Sequence, residues 1–302
     1  MLHPISFCIP EEKIATISPH KTKTLSSSLP GKVGIRAYIF NDEDDYYADY
    51  QKSVFAITCK KAGWDCMRHY EIIANWCIPC FTDIEQCPIN TMSHLPKQLI
   101  IRGNALYENL KDKSPNEYTT DNNDEYSYLI NELVSYAKGS LTTSKMAQYV
   151  LDASNCIDAK RILYLSGDTS PDYLRCLLLH GFKRILGNEC HDYPKIAHMY
   201  IDANTSIKHD RQNLYGKGFT YSRLLEDDLH NNSLDESIEN DIIHNKYDVV
   251  IYGSYHRGMP YYKLVNKHFS PSKIILFCGE DLHSCNYSTF VEKGHHVFVR
   301  EQ

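Results

Sequence analysis

The sequence contains no long hydrophobic run. Its longest apolar stretches are about six to eight residues, against the roughly 20 that a membrane-spanning helix needs, so no span is expected. It has no basic excess either. A net charge of −6 argues against a general polyanion binder and leaves nucleic acid out of the expected partners. The opening residues, MLHPISFCIPEEK, lack the basic and apolar regions of a secretory signal, so the cytoplasm is the expected location. No G-x-S-x-G, P-loop or G-x-G-x-x-G pattern occurs, which weakens hydrolase, NTPase and dehydrogenase readings. Internal repeats and low-complexity segments are missing as well.

What is present is ordinary globular material. With 302 residues, 42% hydrophobic and 23% charged, the chain has enough for about two domains and their cores. Its eleven cysteines lie mostly inside apolar runs, as at Cys8, Cys59, Cys176 and Cys278. Without a signal sequence they are expected as buried free thiols in a reducing compartment. The 23 tyrosines, with many Asn, Asp and His, suit a carbohydrate-facing surface.

The stretch Ser53–Phe81 organises the first half. Ser53–Thr58 reads as a strand, Ala62-Gly63 as a break, Asp65 as a helix cap, Asn75 as the helix end, and Cys77–Phe81 as a second strand. A cap at Asp65 leaves amides free for a phosphate oxygen. At helical spacing Arg68, Glu71 and Asn75 share one face, with Met67, Tyr70, Ile73 and Ala74 on another. A cation one turn inside such a helix, with a carboxylate three residues on, can hold a diphosphate and a ribose. The plainer alternative is an Arg68–Glu71 salt bridge on a solvated face, worth under ~1 kcal/mol.

Around this stretch, residues 1–31 read as one strand and a loop, Lys32–Phe40 as a strand, and Tyr46–Lys52 as a short helix. Leu99–Lys111 reads as a helix, and Tyr126–Ala153 as helical with a break at Gly139-Ser140. From Lys160 the texture becomes strand–helix alternation. Strands are expected at Arg161–Leu165, Lys183–Leu186, Tyr247–Tyr252, Lys273–Phe277 and His295–Val299, with helices at Pro171–Leu179 (stopped by Gly181), Leu234–His244 and Pro260–His268. This pattern implies a parallel α/β sheet whose ligands sit at the carboxyl ends of the strands. Those ends carry Asp168; Glu189, His191 and Asp192; His256 and Arg257; and Glu280, Asp281 and His283.

Residues Arg68–Pro79, RHYEIIANWCIP, resemble the nucleotide-sugar motif of exostosin-like glycosyltransferases. Arg68, Tyr70, Glu71, Cys77, Ile78 and Pro79 fit the pattern, His69 replaces an aromatic residue, and Trp76 stands where the family usually has Gly. The longer string GWDCMRHYEIIANWCIPCFTDIEQCP also looks like glycosyltransferases encoded by large DNA viruses. The specific resemblance covers residues 59–98, and a looser one extends into GDTSP, GNECHDYP, YGSYHRGMPYY and CGEDLH.

The resemblance implies a GT-B architecture, two Rossmann-like domains facing across a cleft. Here the donor domain would come first, at 1–157, and the acceptor-side domain second, at 158–302. It implies sugar transfer from a nucleoside diphosphate sugar, a UDP-sugar such as UDP-xylose, to a hydroxyl of an oligosaccharide or glycoprotein, without a metal or other cofactor. If the chain is virus-encoded, the location becomes the host cytoplasm.

On that reading Arg68 meets the diphosphate with amides from Gly63, Trp64, Asp65 and Cys66, and Glu71 accepts from a sugar hydroxyl. Trp64 either stacks on a ring or plugs the core. An inverting reaction would need a base, drawn from Glu280, Asp281, His256 and Asp168. Lys217 and Arg223 are an alternative source of phosphate contacts, from across the cleft. Rival readings are a non-catalytic nucleotide- or carbohydrate-binding protein and, from ILYLSGD, a Rossmann-type methyltransferase. A zinc site at Cys77 and Cys80, with Cys66, Cys87 and His69, is disfavoured because a strand points Cys77 and Cys80 to opposite faces.

Overall fold

A computed structural model of the chain describes residues 1–30, 39–118, 124–201, 213–281 and 285–302. In the first half, strands β1 (Leu2–Pro4), β2 (Lys23–Leu25), β3 (Ser53–Ile57) and β4 (Ile78–Cys80) are separated by helices α1 (Glu43–Lys52) and α2 (Met67–Ala74). Helices α3 (Lys97–Leu110), α4 (Glu125–Ser140) and α5 (Thr143–Ala153) follow. The acidic NDEDD run starts α1, because the Asp42 carboxylate accepts the amides of Asp44 and Asp45. Residues 1–31 hold two strands rather than one. The proposed strand at Lys32–Phe40 lies outside the described residues as far as position 38, and Ile39 and Phe40 are not strand. The break in the long helical region falls at Leu141-Thr142, not Gly139-Ser140, since the Thr142 hydroxyl caps α5.

The second half contains β5 (Ile162–Leu165), α6 (Tyr173–Leu186), β6 (Cys190–Tyr193), β7 (Tyr200–Ile201), β8 (Leu225–Glu226), and the short helices α7 (Asn232–Asp235) and α8 (Ile238–Ile243). Then come β9 (Val249–Tyr252), α9 (Tyr262–His268), β10 (Ile274–Cys278), α10 (Ser288–Glu292) and β11 (His296–Val299). One expectation fails here. Lys183–Leu186 is not a strand but the last turn of α6, which Asp172 caps and which runs straight through Gly181. Gly181 does not end the helix. It lets α6 lie against α5, because a Cβ there would run into the Thr143 carbonyl. The strand is the next segment, Cys190–Tyr193, so His191 and Asp192 lie within it rather than beyond its end.

Among the described residues all the strand pairings are parallel. Six strands form one sheet in the order β1-β11-β10-β9-β5-β6, three form a second in the order β2-β3-β4, and β7 pairs with β8. Strands β5, β9, β10 and β11 are buried along their whole length, as expected of a sheet covered on both faces. Ile162 and Tyr164 pack into one apolar cluster, and Leu163 and Leu165 into another on the opposite face. The chain leaves β5 toward β6 and returns on the other side at β9. The ends of β5 and β9 therefore form the topological switch point.

The start of the chain belongs to the sheet of the second half, across the boundary expected near residue 157, because β1 extends β11. One apolar cluster also runs from Val54 and Ile78 through Leu133 to Ile162 and Phe298. Among the described residues no helix is long and apolar enough to cross a membrane. Nine cysteines are free, but Cys278 and Cys285 are joined in a disulfide, which corrects the expectation of free thiols throughout. The Cα atoms of Cys278 and Cys285 are 6.5 Å apart.

Candidate functional site

The entrance to α2 forms one wall of a cleft of about 350 Å³. Its lining includes Lys61, Gly63, Asp65, Cys66, Arg68 and Glu71 from the first half, with Tyr173 and Asp281 from the second. Phe7, Tyr46 and Phe219 add aromatic surface. The α/β crossover from β3 to β4 places the helix start there, at the carboxyl end of β3.

The cap differs from the sequence reading. Cys66 is the N-cap residue and makes no side-chain capping bond. The Asp65 carboxylate turns inward, accepting from the Phe7 amide at 2.7 Å and the Tyr70 hydroxyl at 2.8 Å. Burial pushes its pKa up to about 6, against the pull of Arg300. The Asp65 amide donates to Glu301 Oε1 at 3.0 Å, so an internal carboxylate already occupies this donor.

Arg68 and Glu71 do not pair. The two Glu71 oxygens accept from the Tyr46 hydroxyl at 2.7 Å and from the Thr220 hydroxyl, and burial raises the pKa of the carboxyl. Arg68 Nη1 is buried with no hydrogen-bond partner among the described residues. A buried, unmatched guanidinium donor is costly, and Arg68 also lines the cleft, where a guanidinium suits an anion.

The opposite wall is set by Arg300, a fully buried residue just beyond β11. Its guanidinium donates to the Asp65 carbonyl at 2.5 Å, the Gly279 carbonyl at 3.0 and 3.1 Å, and Glu301 at 3.0 Å, and it also pairs with Asp281. It lies 4.3 Å from the centre of the Phe7 ring. Glu301 packs on Gly63, where a Cβ would sit 2.5 Å from Glu301 Oε1, so glycine is what permits this approach.

The other expected site residues are dispersed. Trp64 does not line the cleft; it packs against Phe81 at 6.0 Å, with Lys60 over its ring at 4.8 Å. His256 and Glu280 face each other, Nε2 to Oε1, at 2.6 Å. Asp168 accepts from Ser170 at 2.6 Å and pairs with the buried Arg175 at 3.1 Å. The switch point is closed by a related group, with Asp172 accepting from Ser254 at 2.7 Å and lying 3.3 Å from Arg257.

Glu189 pairs with Arg161 at the surface, while Asp192 lies in a buried network with Lys183 at 2.8 Å and His230 at 3.2 Å. Lys217 is held by the Phe40 carbonyl and Asn41 and does not line the cleft, and neither does Arg223. His283 lies outside the described residues. Of the four residues considered as bases, Asp281 is the one among the cleft's lining residues.

The residues peculiar to the resemblance have clear local roles. His69, standing where the pattern has an aromatic, is buried, held neutral with its pKa lowered to about 4 by burial, and stacked on Phe81 at 4.9 Å. Trp76, standing where the pattern has Gly, has φ of 57°, a left-handed conformation that Gly adopts without strain. Its indole donates to the Ala15 carbonyl at 2.8 Å. Cys77 and Cys80 do face opposite sides, packing into different apolar clusters.

Sequence reasoning missed Arg300, Glu301, Tyr46, Phe219 and Tyr173. The first two had a signal: they follow HVFV directly, at the end of a predicted strand, where the strand-end rule applies. Compared with known proteins, the chain matches no family model, no curated protein and no solved structure.

Proposed function

We propose that the chain is a glycosyltransferase that moves a sugar from a nucleoside diphosphate sugar, a UDP-sugar by preference, to a hydroxyl of a glycan acceptor. The observation that carries this reading is Arg68, whose buried Nη1 has no hydrogen-bond partner among the described residues, in the lining of a cleft whose size suits a small ligand. Arg68 and Lys61 meet the diphosphate and offset the charge that grows on it as the glycosidic bond breaks. The first amides of α2 add their dipole. Tyr46 and Phe219, whose ring centres lie 5.8 Å apart, provide an apolar wall for the base.

In this scheme Glu71 is a positioning residue, since it holds Tyr46 rather than a sugar hydroxyl. Asp281 receives the proton of the acceptor hydroxyl if the reaction inverts, and Arg300 fixes its orientation. The three-stranded sheet with α2 is the donor side and the six-stranded sheet the acceptor side of a GT-B-like pair, with the donor side first in the chain apart from β1, which joins the acceptor-side sheet.

Nucleotide release from a panel of UDP- and GDP-sugars, with and without glycan acceptors, tests the activity. Acceptor-stimulated release of UDP or GDP supports it. Binding without release across the panel favours a non-catalytic carbohydrate- or nucleotide-binding protein. Absence of nucleotide-sugar binding, with tight binding of S-adenosylmethionine, would replace it with the methyltransferase reading.

A further inference from the structure

Strands β9 and β10 are parallel neighbours, with Ile251 opposite Ile275 and Tyr252 opposite Leu276. Their carboxyl ends therefore emerge side by side. The turn Tyr255–Arg257 after β9 carries His256, and β10 ends on Cys278. Cys285 returns to the same place, and its sulfur is bonded to that of Cys278. The two sulfurs and a ring nitrogen of His256 all lie within 4.8 Å of one another.

Three features of this cluster point to a ligand. Cys278 and Cys285 are 0% and 8% exposed, so the sulfurs are shielded from bulk solvent. Both ring nitrogens of His256 are buried and lack a hydrogen bond among the described residues. The Glu280 carboxylate lies 2.6 Å from Nε2, within ion-pair distance but outside hydrogen-bond geometry. Glu280 is thus placed to act as the carboxylate that orients a metal-ligating imidazole.

We propose that the reduced chain binds one Zn²⁺ through Cys278, Cys285 and His256, with Glu280 orienting the imidazole. Two thiolates and a neutral imidazole form a donor set that favours zinc over magnesium or calcium. Zinc–sulfur and zinc–nitrogen bonds of about 2.3 and 2.0–2.1 Å hold the two sulfurs of a tetrahedral site roughly 3.8 Å apart, so the sulfurs separate once the disulfide opens and the imidazole closes on the metal. The disulfide is the oxidised, metal-free form. A dithiol reductant supplies two electrons and two protons to open it and becomes a disulfide itself. Zinc then displaces the two thiol protons and binds the thiolates, and a fourth position remains for water. The site does not depend on the nucleotide-sugar reading.

The test uses the full chain with Co²⁺ as a spectroscopic probe, kept anaerobic in a thiol-free reductant. One equivalent of Co²⁺ is expected to bind, giving thiolate-to-cobalt charge-transfer bands and visible bands of tetrahedral intensity that Zn²⁺ abolishes. Air-oxidised protein is expected to give none. Cys285→Ser is expected to lose much of the charge-transfer intensity, and Glu280→Gln to weaken binding by about 10- to 100-fold. Should Cys285→Ser not fold, the comparison of reduced and oxidised wild type decides. No Co²⁺ or Zn²⁺ binding by the reduced chain, equal bands in the oxidised chain, or an unchanged spectrum in folded Cys285→Ser would each overturn the proposal.

Discussion

Arg300 donates from Nη1 to the backbone carbonyl of Asp65 at 2.5 Å, joining residues 235 positions apart in the chain. Through this bond the end of the last strand grips the loop that starts α2. The same guanidinium holds the Gly279 carbonyl, Asp281 and Glu301, so one side chain ties the two walls of the cleft together.

Replacing that side chain leaves buried acidic groups without their cation. Arg300→Ala is expected to lower stability by about 3–5 kcal/mol, the cost of breaking a buried charge pair from one side. Urea unfolding followed by circular dichroism measures it. A loss below about 1 kcal/mol would show that Arg300 does not clamp the fold.

Asp65 gives a signature in pH. Its folded pKa, about 6, is above the unfolded value of 3.8, so between these values the native state holds more proton than the unfolded one. Stability from this group is present below about pH 4 and is lost as pH rises through 6. The full shift corresponds to about 3 kcal/mol. Asp65→Asn removes the titration. The stability of wild type relative to this variant is therefore expected to fall between pH 4 and pH 6 and then level off. A difference that stays flat across the window would mean that Asp65 is not titrating as its burial implies.

Gly63 tests the contact between the walls. In Gly63→Ala the new methyl meets Glu301 Oε1 at 2.5 Å and Asp281 Oδ1 at 3.2 Å, and Glu301 is already committed to Asp65 and Arg300. A cost of about 1–3 kcal/mol is expected, as for other overpacked sites. Thermal melting of the variant beside Gly139→Ala, where a Cβ has nothing within 4 Å, separates this contact from the general effect of adding a methyl group. Equal melting shifts would count against it.

The parallel α/β organisation was readable because its strands are short apolar runs that alternate with helical periodicity. Ile162–Leu165 and Ile274–Cys278 fall within a residue of the expected spans. The misreading at Lys183–Leu186 has a simple cause: four residues cannot reveal a period, and Gly181 looks like a stop until its contact with Thr143 is known. Arg68, Glu71 and Asp281, singled out from local pattern, all line the cleft. What could not be read was the pairing of Leu2–Pro4 with β11, and with it the reach of Arg300 and Glu301 to Gly63 and Asp65. Those contacts span most of the chain and leave no periodic trace. The Tyr46 and Thr220 bonds that take Glu71 away from Arg68 likewise join separate segments.

The proposed role of Arg68 is to meet a diphosphate. Calorimetric titration of wild type and Arg68→Ala with UDP, GDP and their sugars tests it directly. The account predicts that wild type binds at least one nucleotide sugar and that Arg68→Ala binds it more weakly by about 1.5–3 kcal/mol, roughly 10- to 150-fold. Because Nη1 lacks a hydrogen-bond partner among the described residues, the melting temperature is expected to be unchanged or higher. Wild-type affinity in Arg68→Ala would contradict the account.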